Sequence, residues 1–151
     1  MAGQEFEVTG GARLDELSKK LRAAGDRDIT NALRRQIRAS TQDTRRAVKQ
    51  SAIATLPARG GLNRFMAATP TASTTLGKTH SSVRIVMRKR GHDVEAFDKG
   101  EFRHPIFGRK TWTPQSIEPG FFSDVVERDA AKTRRAVADA VAHAAEQAAN
   151  L

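Results

Sequence analysis

From Phe122 onward the chain places an apolar or alanine side chain at helical spacing almost to its last residue: Phe122, Val126, Ala130, Val137, Val141, Ala144 and Ala148. A stripe of this period must lie against another surface. Its alanines allow a partner helix to come close, but each contact buries little apolar area, at about 25 cal/mol per Å². The 151 residues, 38% of them hydrophobic, suffice for one domain, residues 1–151, with a thin core built partly of close helix contacts. Contacts between copies of the chain are therefore expected.

Two further helices are predicted ahead of this one. Leu14, Leu17 and Leu21 share one face of a short helix over Arg13 to Ala24, and Gly25 stands where a helix ends. A longer helix is expected from Thr30 to about Leu56, stopped by Pro57 and Gly60-Gly61. Its stripe of Ile29, Leu33, Ile37, Val48, Ala52 and Leu56 is interrupted by Ser40, Thr41 and Thr44, a weak middle that reads as a bend, a polar contact or a surface left for a partner. Arg34, Arg35, Arg38, Arg45, Arg46 and Lys49 occupy its other faces; a solvated face, a protein-binding face and a DNA-facing one are all open readings.

Residues 58–79 hold glycines, small residues and a run of threonines and serines, and read as a flexible loop with Leu62, Phe65 and Met66 anchoring one end. Glu5 to Thr9 alternates polar and apolar, as a short edge strand or an ordered arm does. Ser81 to Arg90 alternates more clearly, with Val83, Ile85 and Met87 on one face. After a turn at Arg90-Gly91-His92-Asp93, Val94 to Phe97 is expected to return as an antiparallel partner. The fold class is α+β: a small antiparallel sheet packed against a long C-terminal helix, with two N-terminal helices.

Little in the chain suggests bond-making chemistry. There is no cysteine, which removes disulfides, thiolate metal sites and thiol nucleophiles. His80, His92, His104 and His143 are scattered, with no paired-ligand spacing. Asp93, Glu95 and Asp98 would serve a metal-dependent nuclease only by converging on one point, and a charged turn explains them more simply. Separate turns account for the glycines, so no phosphate cradle is indicated. No cofactor and no metal are expected, and no enzymatic activity. The apolar runs are too short to span a membrane, and no export signal is indicated.

The charge is +9, from 26 Lys and Arg against 17 Asp and Glu. It favours anionic partners without choosing among them. Arg84, Arg88, Lys89 and Arg90 are candidate electrostatic contacts, and phosphate binding there would weaken with salt.

The densest pattern is Phe102-Arg103-His104-Pro105-Ile106-Phe107-Gly108, then Trp112 and Gln115, then Pro119-Gly120-Phe121-Phe122. Pro105 and Gly108 suit a constrained loop, with Phe107 and Trp112 expected to dock its ends on the domain. A direct contact between subunits is the second reading of these aromatics. The pattern, with the preceding hairpin, the basic helix and the alanine-rich final helix, resembles small tail-completion or head–tail joining proteins of long-tailed bacteriophages and prophages. The resemblance spans about Asp28 to Ala149.

The resemblance implies a noncatalytic virion component at the neck or head-proximal end of the tail, made in the host cytoplasm during assembly. It further implies a ring of several copies around a DNA passage. The partners would be copies of the chain itself, a portal-side connector or head-closure protein, and a tail-terminator or tail-tube protein. His104, Pro105, Ile106, Phe107, Gly108, Trp112, Gln115, Pro119 and Phe122 would be structural or assembly positions. The alternative function is a basic protein that binds nucleic acid without sequence preference.

Overall fold

The computed structural model describes residues 3–9, 11–77, 79–105 and 110–150. Strand β1 (Gln4–Thr9) leads into helix α1 (Gly11–Ala24), whose Leu14, Leu17 and Leu21 are buried. Gly25, with φ of +66°, ends it. Asp26 then caps α2 (Arg27–Ser40) by accepting from the Ile29 N–H at 2.9 Å.

The long basic helix of the sequence reading is two helices. The chain bends at Thr41, fully buried, before α3 (Gln42–Thr55) begins. Here the Ser40 hydroxyl donates to the Ile37 carbonyl at 2.9 Å and the Thr41 hydroxyl to the Arg38 carbonyl at 3.1 Å. Such local bonds compete with the helical ladder and bend it. The Thr44 hydroxyl then reaches Asp129, 3.0 Å away at the far end of the chain.

Residues 58–79 contain regular structure where the sequence suggested a loop. A turn of 3₁₀ helix at Arg59–Gly61 precedes α4 (Leu62–Met66), and strand β2 follows over Thr71–Leu76. Met66 is fully buried as an anchor, whereas Phe65 is 45% exposed. β2 pairs antiparallel with β3 (Ser81–Met87), which pairs on its other side with β1, giving the order β1-β3-β2. Phe6 and Ala72 both stand opposite Ile85, and Val83, Ile85 and Met87 are buried.

The strand expected after the turn at Arg90-Gly91-His92-Asp93 is a helix instead, α5 (Val94–Asp98). Asp93 caps it by accepting from the Ala96 N–H at 3.1 Å, and Val94 and Phe97, three apart, turn together into the core. β4 (Glu101–Pro105) and β5 (Trp112–Ser116) form a separate two-stranded sheet. The final stripe is carried by α6 (Ser123–Arg128) and α7 (Ala130–Ala149), broken at Asp129.

Two buried clusters result. Leu14, Leu17, Leu21, Leu33 and Ile37 meet Val137, Ala140, Val141 and Ala144 of α7, joined by Val83. Val48, Ala52 and Leu56 of the α3 segment meet Met66, Ile85, Met87, Val94, Phe97, Phe121, Phe122, Val125 and Val126. The small residues of α7 thus rest mainly on α1 and α2, and the sheet meets that layer through Val83.

Candidate assembly surface

The residues singled out around His104 form an arm. In the β4–β5 pair, Pro105 stands opposite Trp112, His104 opposite Thr113, and Phe102 opposite Gln115. Ile106, Phe107 and Gly108 lie outside the described residues. Every residue of β5 except the half-buried Thr113 is exposed. Trp112 is 59% exposed and belongs to neither buried cluster, which corrects the expectation that it docks on the core of its own chain. Gln115 and Pro119 are exposed, and His104 is half-buried.

The arm is fixed at its base by rings. Phe102 stacks on the buried Phe97 with centroids 5.2 Å apart and planes 23° apart, and His104 lies 5.5 Å from Phe102. His92 extends the row from Phe97, at 6.3 Å, to Phe65, at 4.8 Å. Aromatic pairs at these separations add specific geometry to the area they bury. Gly100 begins the arm at φ of +87°; a Cβ there would sit 2.8 Å from the Ile117 carbonyl oxygen, too close for any side chain.

Below the arm, Phe121 and Phe122 are core residues, fully buried and 1% exposed. Phe122 is therefore a structural position and presents no surface. What holds this segment is Asp98, which is 4% exposed. One carboxylate oxygen accepts from the N–H groups of Phe122 at 2.7 Å and Ser123 at 3.1 Å, and the other accepts from the Gln4 side chain at 2.8 Å. Its main-chain carbonyl also accepts from the Gly120 N–H at 2.7 Å. Asp98 caps α6 from 24 residues upstream and pins β1 to the same point.

The other carboxylates of that acidic group do local work. Asp93 caps α5, and Glu95 pairs with Lys99 at 2.5 Å, raising the lysine above its ordinary pKa first by that hydrogen bond and then by charge attraction. Among the described residues no three His, Asp or Glu side chains are grouped so as to hold a metal ion. No helix there is long and apolar enough to cross a membrane.

The candidate electrostatic contacts are partly committed within the chain. Arg84 Nε lies 3.2 Å from a Glu5 oxygen and 3.3 Å from a Glu7 oxygen. Lys89 Nζ lies 4.3 Å above the Phe65 ring, a cation–π contact. The Arg88 side chain runs along Gly3, where a Cβ would strike it. Comparison with protein-family models, with curated proteins and with solved structures finds no match to this chain.

Proposed function

We propose that the chain is a structural component of a long-tailed phage virion that joins the capsid connector to the tail as an oligomeric ring around the DNA passage. It would sit at the neck or head-proximal tail. The observation that carries the reading is the arm: an exposed outer strand with an exposed tryptophan, held at its base by a row of rings. A large aromatic left exposed on an outer strand is the kind of residue on which protein interfaces centre. Neighbouring copies are the first partner, with a portal-side connector or head-closure protein and a tail-terminator or tail-tube protein on the two faces of the ring. Many modest contacts repeated around a ring give a stable assembly.

Trp112 is the sole tryptophan, and the chain has no tyrosine, so intrinsic fluorescence reports the arm directly. The chain, alone and mixed with candidate connector and tail-tube proteins, is followed by sedimentation velocity, electron microscopy and Trp112 emission. Ring formation with a blue shift of that emission is expected. Trp112→Ala should leave monomer stability within about 0.5 kcal/mol of the parent, as for other exposed positions, while weakening each contact by about 30-fold, as for an interface anchor worth about 2 kcal/mol. Rings that form equally well from the alanine variant would remove the arm from the assembly.

A further inference from the structure

We infer that the groove between α2 and the unpaired edge of β2 binds the sugar–phosphate backbone of duplex nucleic acid. Arg27, Asn31, Arg34 and Arg38 recur at steps of four, three and four along α2, which sets them in one row, and Arg35 flanks it. All four arginines are exposed, and among the described residues none of them is paired with a carboxylate.

Two cavities of about 360 and 540 Å³ share Asn31 and Arg34 and together make the groove. Its other wall is the hydroxyl-rich stretch Thr71 to Thr74 of β2, whose far edge carries no strand in the order β1-β3-β2. Arg22 and Arg45 hold the two ends of that wall: Arg22 donates to the Leu76 carbonyl at 2.5 Å, and Arg45 to the carbonyls of Pro70 at 3.3 Å and Arg38 at 2.8 Å. Among the described residues Asp26 is the one acid that lines the groove, and one of its carboxylate oxygens accepts from the Ile29 N–H. Burial first, then repulsion from Arg38 and Arg46, holds the Arg45 guanidinium at the end of that wall below its ordinary pKa.

From Arg27 to Arg38 the row is about 16 Å long at 1.5 Å per residue. Measured along the duplex axis, one strand passes about five phosphates over that distance, of which those on the facing side are within reach of the row. Guanidinium forks, hydroxyls and an amide are the groups that take phosphate oxygens. An acidic protein would be expected to seat an apolar anchor as well, and among the described residues the large exposed hydrophobic ones, Ile53, Phe65 and Trp112, do not line the groove. The same lack of rings offers a single strand nothing to stack on. The inference stands on the groove alone and does not need the ring; within a ring it would mean that α2 faces the passage.

The test is fluorescence anisotropy of the full chain with a labelled duplex of mixed sequence over a salt series. Four arginines predict that log K falls with log salt at a slope of about −3.6, or 0.9 per phosphate neutralised. The double variant R34Q/R38Q should lose about 1.8 from that slope, and Arg35→Gln alone about 0.9; melting curves establish that each is folded. R59Q/R64Q, at exposed arginines that do not line the groove, should behave as the parent. No salt-dependent duplex binding by the folded parent, or an unchanged slope in R34Q/R38Q, overturns the assignment. So does poly-glutamate binding equally tightly with the same dependence on Arg34 and Arg38, which would make the groove a seat for acidic protein. Ring formation is read separately, so either idea can fail without the other.

Discussion

Asp98 acts as a helix cap supplied from outside the helix. Its carboxylate satisfies two N–H groups at the start of α6 and one amide of Gln4, all in a nearly closed environment. Charge-assisted bonds of this kind are stronger than neutral ones, and the groups left behind lose their solvation as well as their partner. Asp98→Ala should therefore cost about 3 kcal/mol, combining a lost cap with orphaned donors, and Asp98→Asn about half of that. Urea unfolding measures both, and a loss under about 1 kcal/mol for the alanine variant would mean that water replaces the carboxylate. Gly120 is constrained beside it: at φ of +92°, a Cβ would run into the Asp124 carboxylate. In the sequence Asp98 is one of three acids near a turn, and nothing local marks it as different. The groups that explain it are Gln4, 94 residues away, and Phe122, 24 residues away, and separations of that size leave no periodic trace.

At the scale of elements, the legible features are those whose cause is local. The leucines of α1 and the stripe of α7 repeat within a few residues, and the structure buries Leu14, Leu17, Leu21, Val137, Val141 and Ala144 as the period requires. The two breaks, at Thr41 and Asp129, are bridged by Thr44 bonding to Asp129 across the fold, so neither end advertises the other. β2 escaped notice because its inward residues, Ala72 and Thr74, are small or polar, and only Leu76 marks the core side; β-branched threonine nonetheless suits a strand. The arm shows the same limit, since the aromatic and proline residues identify a special segment without revealing that Trp112 points away from the core.

Close approach of α7 to α2 depends on small side chains. Ala140, 1% exposed, lies in the cluster with Leu33 and Ile37, so Ala140→Leu should overpack it and cost about 2 kcal/mol in thermal or urea unfolding. A neutral result would mean that the helices separate freely. The β1–β3 pair carries a pH signature of its own. His80, hydrogen-bonded to Glu7 at 3.0 Å, is the main cause holding that carboxyl below its ordinary pKa of 4.5; burial opposes it next, and the Arg84 charge adds a smaller lowering effect. A carboxyl depressed in the folded state stabilises it above its unfolded pKa, and that contribution disappears as pH falls through the folded value. Glu7→Gln should thus lower the melting temperature slightly at pH 6, with the difference from the parent shrinking as pH falls below the ordinary carboxyl range and vanishing once Glu7 is protonated in both states. An equal difference at both pH values would assign the effect to packing.

For the whole molecule, the two clusters raise the question of whether the chain unfolds as one unit or two. α1, α2 and α7 enclose one, and α3 to α6 enclose most of the other, with the bend at Thr41 and the break at Asp129 lying between them. Three features cross that boundary. β3 places Val83 in the first cluster and Ile85 and Met87 in the second, Phe6 packs against both, and α7 continues directly from α6. Splitting the clusters would require β3 to lose half its burial while keeping both its strand partners, since β1 pairs with Ser82 to Met87 and β2 with Ser81 to Val86. One cooperative unit is the cheaper arrangement. Leu33→Ala, in the first cluster, removes a side chain only 1% exposed and should cost about 3 kcal/mol. In native-state hydrogen exchange, the slowest amides of α3, around Val48 and Ala52 in the second cluster, should lose protection by the same free energy as those of α7. If the substitution instead loosened α1, α2 and α7 while α3 kept its parent protection, the Thr41 bend would be a boundary between separately unfolding halves, and the arm on the second half would stay folded while the groove beside α2 on the first was open.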